Sequence, residues 1–391
     1  MESGKKKLEP HTLSTFHCFL IQQRHLAGLD RFLIPKRHLL AAKPAPLGLA
    51  ALLAAGPAPL GLAAFSGRVA HPQELFSNSR FPVDAEQSFV ISTIARSLAS
   101  STPLLFGALG EVYAERAGVV NLGMEGMMAL GALAAFVVTQ TTGNPMLGIL
   151  AGAVVGMLAS ALHAFVSITL KANQSVSGLA LTMFGLGLAG LLGRSFEGLP
   201  LFTKLENITV PGLSSLPVIG RAAFTDQSPL TYVGIILALV LWVVLFQTRV
   251  GIVIRSVGEN PAAADALGIN VVLVRYGCVL FGGLMAGLAG AFISIAYRPS
   301  WTEGTISGYG WIALALAIFA AWNPLGALAG SLFFGALIHL EFRLQDFIAP
   351  EILHLMPYAM VILALTLTAL RKGSRNAAPE SLGIPYQRGQ R

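Results

Sequence analysis

Residues 230–247 read LTYVGIILALVLWVVLFQ. The run contains no Asp, Glu, Lys or Arg. Hydrocarbon about 30 Å thick is crossed by about 20 apolar residues at the helical rise, so this stretch is long enough to span a bilayer. It is apolar all round, as a helix solvated by lipid or by other helices must be. Runs of similar character lie on both sides: Ser88–Leu109, Val119–Thr141, Met146–Leu170, Ser175–Leu192, Val271–Tyr297, Tyr309–Trp322, Leu325–Leu340 and Ile352–Leu370. The pattern predicts an all-α membrane protein, a polytopic helical bundle of about eight to ten transmembrane helices. The Tyr309–Trp322 run is short and stops at Asn323-Pro324, which suits a half-helix or one arm of a broken helix lining a cavity.

Composition agrees. Of 391 residues, 54% are hydrophobic and 12% charged, where a soluble domain carries about 25% charged residues. The mean hydropathy is +0.68. The net charge of +7 is carried at helix ends and in tails, so it reads as membrane orientation. No basic stripe interleaves with exposed aromatics, which argues against a nucleic-acid partner. Cys18 and Cys278 form no CxxC pattern, and neither a metal site nor a disulfide framework is indicated. Cys278 falls in an apolar run as a small core residue. Gly148/Gly152/Gly156, Gly283/Gly287 and Gly326/Gly330 each place small residues on one helix face, where backbones can approach closely.

Lys and Arg set the orientation. Lys171, the Arg249–Arg275 loop and the tail with Arg371, Lys372, Arg375, Arg388 and Arg391 are assigned to the cytoplasmic side. The Ser195–Pro229 loop and the Glu341–Glu351 turn carry no cationic excess and are assigned outside. Residues 1–87 differ from the rest: a basic, Pro- and Ala-rich, low-complexity N-terminal extension in which PAPLGLAA occurs at 44–51 and again at 57–64. It has room for one extra pass over Leu47–Phe65, interrupted by Gly56, Pro57 and Pro59. Counting back from Lys171 puts the start of the first span outside. Either the extra pass restores an inside N-terminus or the true start lies further downstream. Residues 88–372 form the transmembrane domain, and 373–391 a cytoplasmic tail.

The polar insert after the fifth run carries its own punctuation. Asn260 is a good N-cap, Pro261 suits the first helical position, and Ala262, Ala263, Ala264 and Ala266 favour helix. Gly268 can take the left-handed stop. A short capped helix displayed from a membrane bundle suits docking into a groove on a partner; an ordinary solvated loop helix is the plain alternative.

Here the sequence resembles a family. Residues 258–269, GENPAAADALGI, look like the coupling helix of ABC importer permeases of the branched-chain amino acid, sugar and nucleoside class. Residues 102–111 (TPLLFGALGE) with 115–128 (ERAGVVNLGMEGMM), residues 171–178 (KANQSVSG) and residues 382–386 (LGIPY) are similar to the nucleoside/simple-sugar branch. The resemblance runs from about Ser88 to the C-terminus. It implies a multi-pass protein of the plasma (inner) membrane that forms the path for ATP-driven uptake of a nucleoside or simple sugar. The implied partners are an ABC ATPase subunit, a second homologous permease (a heterodimer) and a substrate-binding lipoprotein. Glu259, Asn260, Pro261, Ala264, Asp265, Leu267 and Gly268 are the coupling residues so implied. No GxxxxGK[ST] phosphate loop occurs in the chain, so ATP hydrolysis is expected on another subunit. The chain itself is expected to be no enzyme and to need no cofactor, metal or catalytic residue.

Polar residues within apolar runs are the substrate-path candidates. Asn121 and Glu125, four apart, are expected on one helix face. Glu125 lines the path or pairs with Arg116 or Arg96. Gln174 and Ser177 cap the fourth span or face the path. Asn323 faces the path or satisfies carbonyls freed at the break. His163 is expected in a helix–helix hydrogen bond, and Trp301, Tyr309 and Trp311 in an aromatic belt. An intramembrane protease is disfavoured because no GxSG occurs and His163, His339 and His354 lack a partner pattern. A prenyl-transfer enzyme is disfavoured by the scarcity of Asp. An ion-gradient-driven secondary transporter of a small polar solute is the main alternative, since Glu125 and the break at Trp322–Pro324 fit it loosely.

Overall fold

The structure, a computed structural model, describes residues 83–345, 347–353, 355–370 and 378–388. The Pro/Ala repeat and the extra pass over Leu47–Phe65 lie outside these residues. In chain order the helices are α1 (Val83–Arg116), α2 (Met124–Thr142), α3 (Pro145–Ala164), α4 (Gln174–Gly193), α5 (Ile219–Ala223), α6 (Pro229–Gln247), α7 (Arg249–Glu259), α8 (Pro261–Ala266), α9 (Val271–Phe292), α10 (Tyr309–Phe319), α11 (Pro324–Leu344), α12 (Pro350–Leu353) and α13 (Met356–Leu370). α3 and α9 each continue into a wider π turn, Phe165–Thr169 and Ile293–Tyr297. Among the described residues seven helices are long and apolar enough to cross a membrane, and α10 is a shorter apolar helix. The chain is a multi-pass membrane protein. The ninth run comes as α12 and the 15-residue α13.

Local chemistry sets the helix starts. Asn144 precedes Pro145 and its side chain accepts from Met146 N at 2.9 Å. Asn173 caps α4 by accepting from Val176 N at 3.1 Å, the role expected of Gln174 or Ser177. Asn270 does the same for α9 through Leu273 N at 3.0 Å. Each cap satisfies at least one of the four amides that a helix leaves open at its start. α1 contains Pro103, which removes one backbone hydrogen bond. Next to it, α1 is tied to its neighbours. Ser100 Oγ donates to Gly335 O at 2.8 Å, and Thr102 Oγ1 lies 2.9 Å from Thr231 Oγ1.

α9 lies at the centre, packed on α1, α2 and α3. The contact with α3 is made by glycine: a Cβ added at Gly156 would lie 2.7 Å from the Gly287 Cα. Helices in lipid gain little from excluding hydrocarbon, so close backbone packing is what holds them. On the opposite faces Leu158, Ile236 and Met183 point outward, Met183 being 76% exposed. In water each such side chain would forgo roughly 1.5–3 kcal/mol; in hydrocarbon that term vanishes.

Candidate functional site

Two irregular segments interrupt the helices, the first buried in the bundle and the second partly exposed. The first, residues 117–123, joins α1 to α2, with Ala117, Val119 and Asn121 fully buried. Non-helical backbone at membrane depth must find protein partners for its polar groups, and this segment does. Val119 N donates to Ala114 O at 3.1 Å. Val120 N donates to Gln174 Oε1 at 2.8 Å, and Asn121 N to Glu111 Oε1 at 3.1 Å. Thr182 Oγ1 donates to Leu122 O at 2.7 Å, and Gly123 N donates to Asn121 Oδ1 at 3.0 Å. His163 bridges Val120 O (Nε2, 3.2 Å) and Ser177 Oγ (Nδ1, 3.0 Å). A carbonyl only accepts, so Nε2 carries a proton; in the neutral ring Nδ1 then accepts from Ser177. The helix–helix hydrogen bond expected of His163 is present.

The structure thus brings Asn121, Gln174 and Ser177 together around one segment of backbone. Asn121 lies in the irregular segment and Glu125 in the first turn of α2, so the shared helix face expected for them does not exist. Helical spacing applies only where both residues are helical, and the break falls between them.

The second segment, residues 298–308, joins the π turn of α9 to α10. Its Trp301 is 3% exposed, set 6.5 Å from the Phe136 ring centroid, and Tyr309 is also buried. The aromatic-belt reading fails for both, because the chain here turns into the bundle; Trp311 remains partly exposed. Trp301 N and O pair with Leu199 O and Gly198 N at 3.2 and 2.9 Å, tying the segment to the loop after α4.

The two segments meet at Glu125. Its Oε1 accepts from Gly308 N at 3.1 Å, and Gly308 is the N-cap residue of α10. A carboxylate oxygen therefore sits at the start of an 11-residue half-helix, where open amides and the helix dipole favour negative charge. The expected ion pair with Arg116 or Arg96 is absent. Arg116 instead donates through Nε to Trp322 O at 3.0 Å and through Nη2 to Ala321 O at 3.1 Å. Ala321 and Trp322 have φ of 52° and 54°, a left-handed conformation costing roughly 1–2 kcal/mol per residue. Arg116 holds that turn by its carbonyls, and the Trp322 indole donates to Glu115 Oε2. Asn323 caps α11, accepting from Leu325 N at 3.0 Å. It satisfies an amide, while the carbonyls at this break belong to Arg116.

A cavity lies on each side of the 301–308 segment. One, about 260 Å³, is bounded by Gly187, Gly190, Trp301, Glu303 and Thr305. The other, about 180 Å³, is bounded by Arg298, Ser307, Gly308, Tyr309, Glu341 and Tyr358. Ser307 lines both, so this partly exposed segment is the partition between two partly polar spaces beside the start of α10.

The short helix read from the sequence is α8. Asn260 Oδ1 accepts from Ala263 N at 2.9 Å, Pro261 stands at the first position and Gly268 has φ +83°. The amphipathic helix α7 before it, buried at Gly251, Ile254, Val257 and Gly258, has no counterpart in the sequence reading, although 251, 254 and 258 follow helical spacing. Of the residues that the resemblance implies for coupling, Ala264 is buried against Val257 and Val271, whereas Glu259 and Asn260 are exposed and Leu267 is 81% exposed. Asp265 pairs with Arg388 at 3.0 Å.

Residues 93–365 match the model of the family described as branched-chain amino acid transport system / permease component. The chain is similar to a putative glucose ABC transporter permease of Haloferax volcanii, 38% identical over 77% of this chain and 99% of that protein. It is similar to a nucleoside ABC transporter permease of Lactococcus lactis, 39% identical over 75% of this chain and 96% of the relative. It is likewise similar to a guanosine ABC transporter permease of Bacillus subtilis, 38% identical over 76% and 97%. The last two organisms each hold a second, more distant relative, a nucleoside and a guanosine ABC transporter permease at 26% and 25% identity. No solved structure matches. The ion-gradient-driven alternative finds no support in these likenesses. The membrane-spanning architecture and the match over most of its length lead to one conclusion: the chain belongs to the branched-chain amino acid transport system / permease component family and is an ABC transporter permease.

Proposed function

We propose that this permease lies in the plasma membrane and forms the path for uptake of a nucleoside, with a simple sugar as the second candidate. The observation that carries the path is the junction of Glu125 with Gly308, where a half-helix begins beside a polar cavity. Broken helices whose N-termini aim into a cavity are the membrane solution for handling polar solutes. Glu125 lines this path near the Ser307 partition. Asn121, Gln174 and Ser177 shape its wall by holding residues 117–123, and Asn323 sets the turn that ends α10. Of the three relatives described above at 38–39% identity, two are named for nucleosides or guanosine and one for glucose, which sets the order of candidates.

The partners in this reading are a separate ATPase, a second and related permease, and a substrate-binding lipoprotein. α8, with Glu259, Asn260, Pro261, Asp265, Leu267 and Gly268 around it, faces the cytoplasm and seats in the ATPase; Ala264 anchors it to the bundle. The cations of α7 and the tail support that side. The test is uptake into proteoliposomes holding the complete assembly, with ATP inside and labelled guanosine or glucose outside. ATP-dependent guanosine accumulation that excess glucose does not compete is the expected result. Competition by glucose alone transfers the reading to a sugar. Accumulation that ignores ATP and follows a proton gradient overturns it.

A further inference from the structure

We propose that residues Pro379–Arg388 act as a strap that passes movement of α8 to the buried break between α1 and α2, making the C-terminal tail a positioning element of the transport cycle. The inference rests on reading α8 as the seat of the ATPase. A helix of six residues cannot hold itself in place, so α8 takes its position from what it packs on. On one side that is the bundle, through Ala264 against Val257 and Val271. On the other it is the tail. Tyr386 packs against the same small cluster, and Arg388 pairs with Asp265. At the end of α7, Gly258 O accepts from both Ser381 N (3.0 Å) and Ser381 Oγ (2.6 Å).

The strap reaches the break through Arg275, which is 2% exposed. Its Nη2 donates to Ser381 Oγ and its Nη1 to Ile384 O, both at 3.1 Å, while Nε donates to Ala117 O at 3.2 Å. Gly383 N adds a bond to Gly118 O at 3.3 Å. Gly118 has φ +85°, and a Cβ there would lie 2.6 Å from Ser381 Oγ and 2.9 Å from Arg275 Nη2, so the backbone is pressed against both. A buried guanidinium stripped of partners is costly. Lifting the strap removes two of the three oxygens that satisfy Arg275, and the third belongs to the segment that continues into the path. Displacement of α7 and α8 is therefore carried to residues 117–118 through Ser381, Arg275 and the Gly383–Gly118 bond. The exposed Arg388–Asp265 pair is weak on its own; the buried Ser381–Arg275 junction carries the linkage.

The test uses the complete transporter in proteoliposomes and reads solute taken up per ATP hydrolysed. Ending the chain after Ala377 is expected to lower that ratio about fivefold or more while hydrolysis continues. Adding back a peptide of residues 378–391 is expected to raise it again. Ser381→Ala is expected to lower the ratio, and Ser381→Thr, which keeps the hydroxyl, to preserve it. A merely structural tail would lower uptake and hydrolysis in proportion; an unchanged ratio in the truncated and Ser381→Ala assemblies overturns the proposal. If the unaltered assembly shows no ATP-dependent uptake, the importer reading fails instead, so the two failures are told apart.

Discussion

Replacing Glu125 probes the junction on which the path depends. In Glu125→Leu, the Gly308 amide loses its acceptor and α10 loses the group at its start. Loss of a cap costs about 0.5–2 kcal/mol, and a buried amide left without a partner costs about 1–3 kcal/mol. The two overlap because they count the same bond, so the net expectation is about 1–3 kcal/mol. Glu125→Gln keeps an oxygen where Oε1 stands, so the bond to Gly308 survives. What is lost is only the charge at the helix start, worth about 0.3–1 kcal/mol and at most about 2. Gly310 packs closely on the Glu125 backbone, with an added Cβ 2.5 Å from the Glu125 Cα, so the segment has little room to relax. The assay is thermal unfolding of the purified chain in detergent, paired with uptake by the reconstituted assembly. The Gln variant is expected to melt close to the parent and the Leu variant clearly below it. Equal melting temperatures for Gln and Leu would refute the argument that the carboxylate holds α10. A Gln variant that is stable yet poor in uptake would assign Glu125 to the path itself.

Arg116→Leu removes two charge-assisted bonds, each worth about 1.5–3 kcal/mol, from a left-handed turn. It is expected to cost about 3–5 kcal/mol and to expose a cysteine placed at position 321 to thiol reagents in the membrane, with unchanged labelling as the contrary result. Leu267→Asp changes an exposed side chain, so stability should stay within about 0.5 kcal/mol while binding of the ATPase falls; a pull-down with the detergent-solubilised chain reads this directly. Ala264→Leu does the reverse first. It overfills a buried site at a cost of about 1–3 kcal/mol, seen as a lower melting temperature before any partner is added.

The sequence determined the spans, because burial in lipid is a property of composition over about 20 residues and needs no distant partner. It determined α8 as well. An N-cap, a first-position proline and a left-handed glycine act within a few residues of one another, and Asn260, Pro261 and Gly268 appear as read. It marked the short run before Asn323-Pro324 as a half-helix, for the same local reason.

Tertiary structure decided which polar groups meet. Arg116 reaches carbonyls 205 and 206 positions away, and Arg275 holds Ser381 at a separation of 106. No periodicity encodes such pairs, since they arise when irregular backbone enters the bundle and draws in whatever donors lie at that depth. That is why Glu125 went to a helix start and not to an arginine, and why Trp301 lies in the core and not at the interface. It is also why a tail that reads as a solvated cationic end packs on α8: whether a charge is solvated or buried depends on the surface opposite it, and only the folded chain supplies that surface.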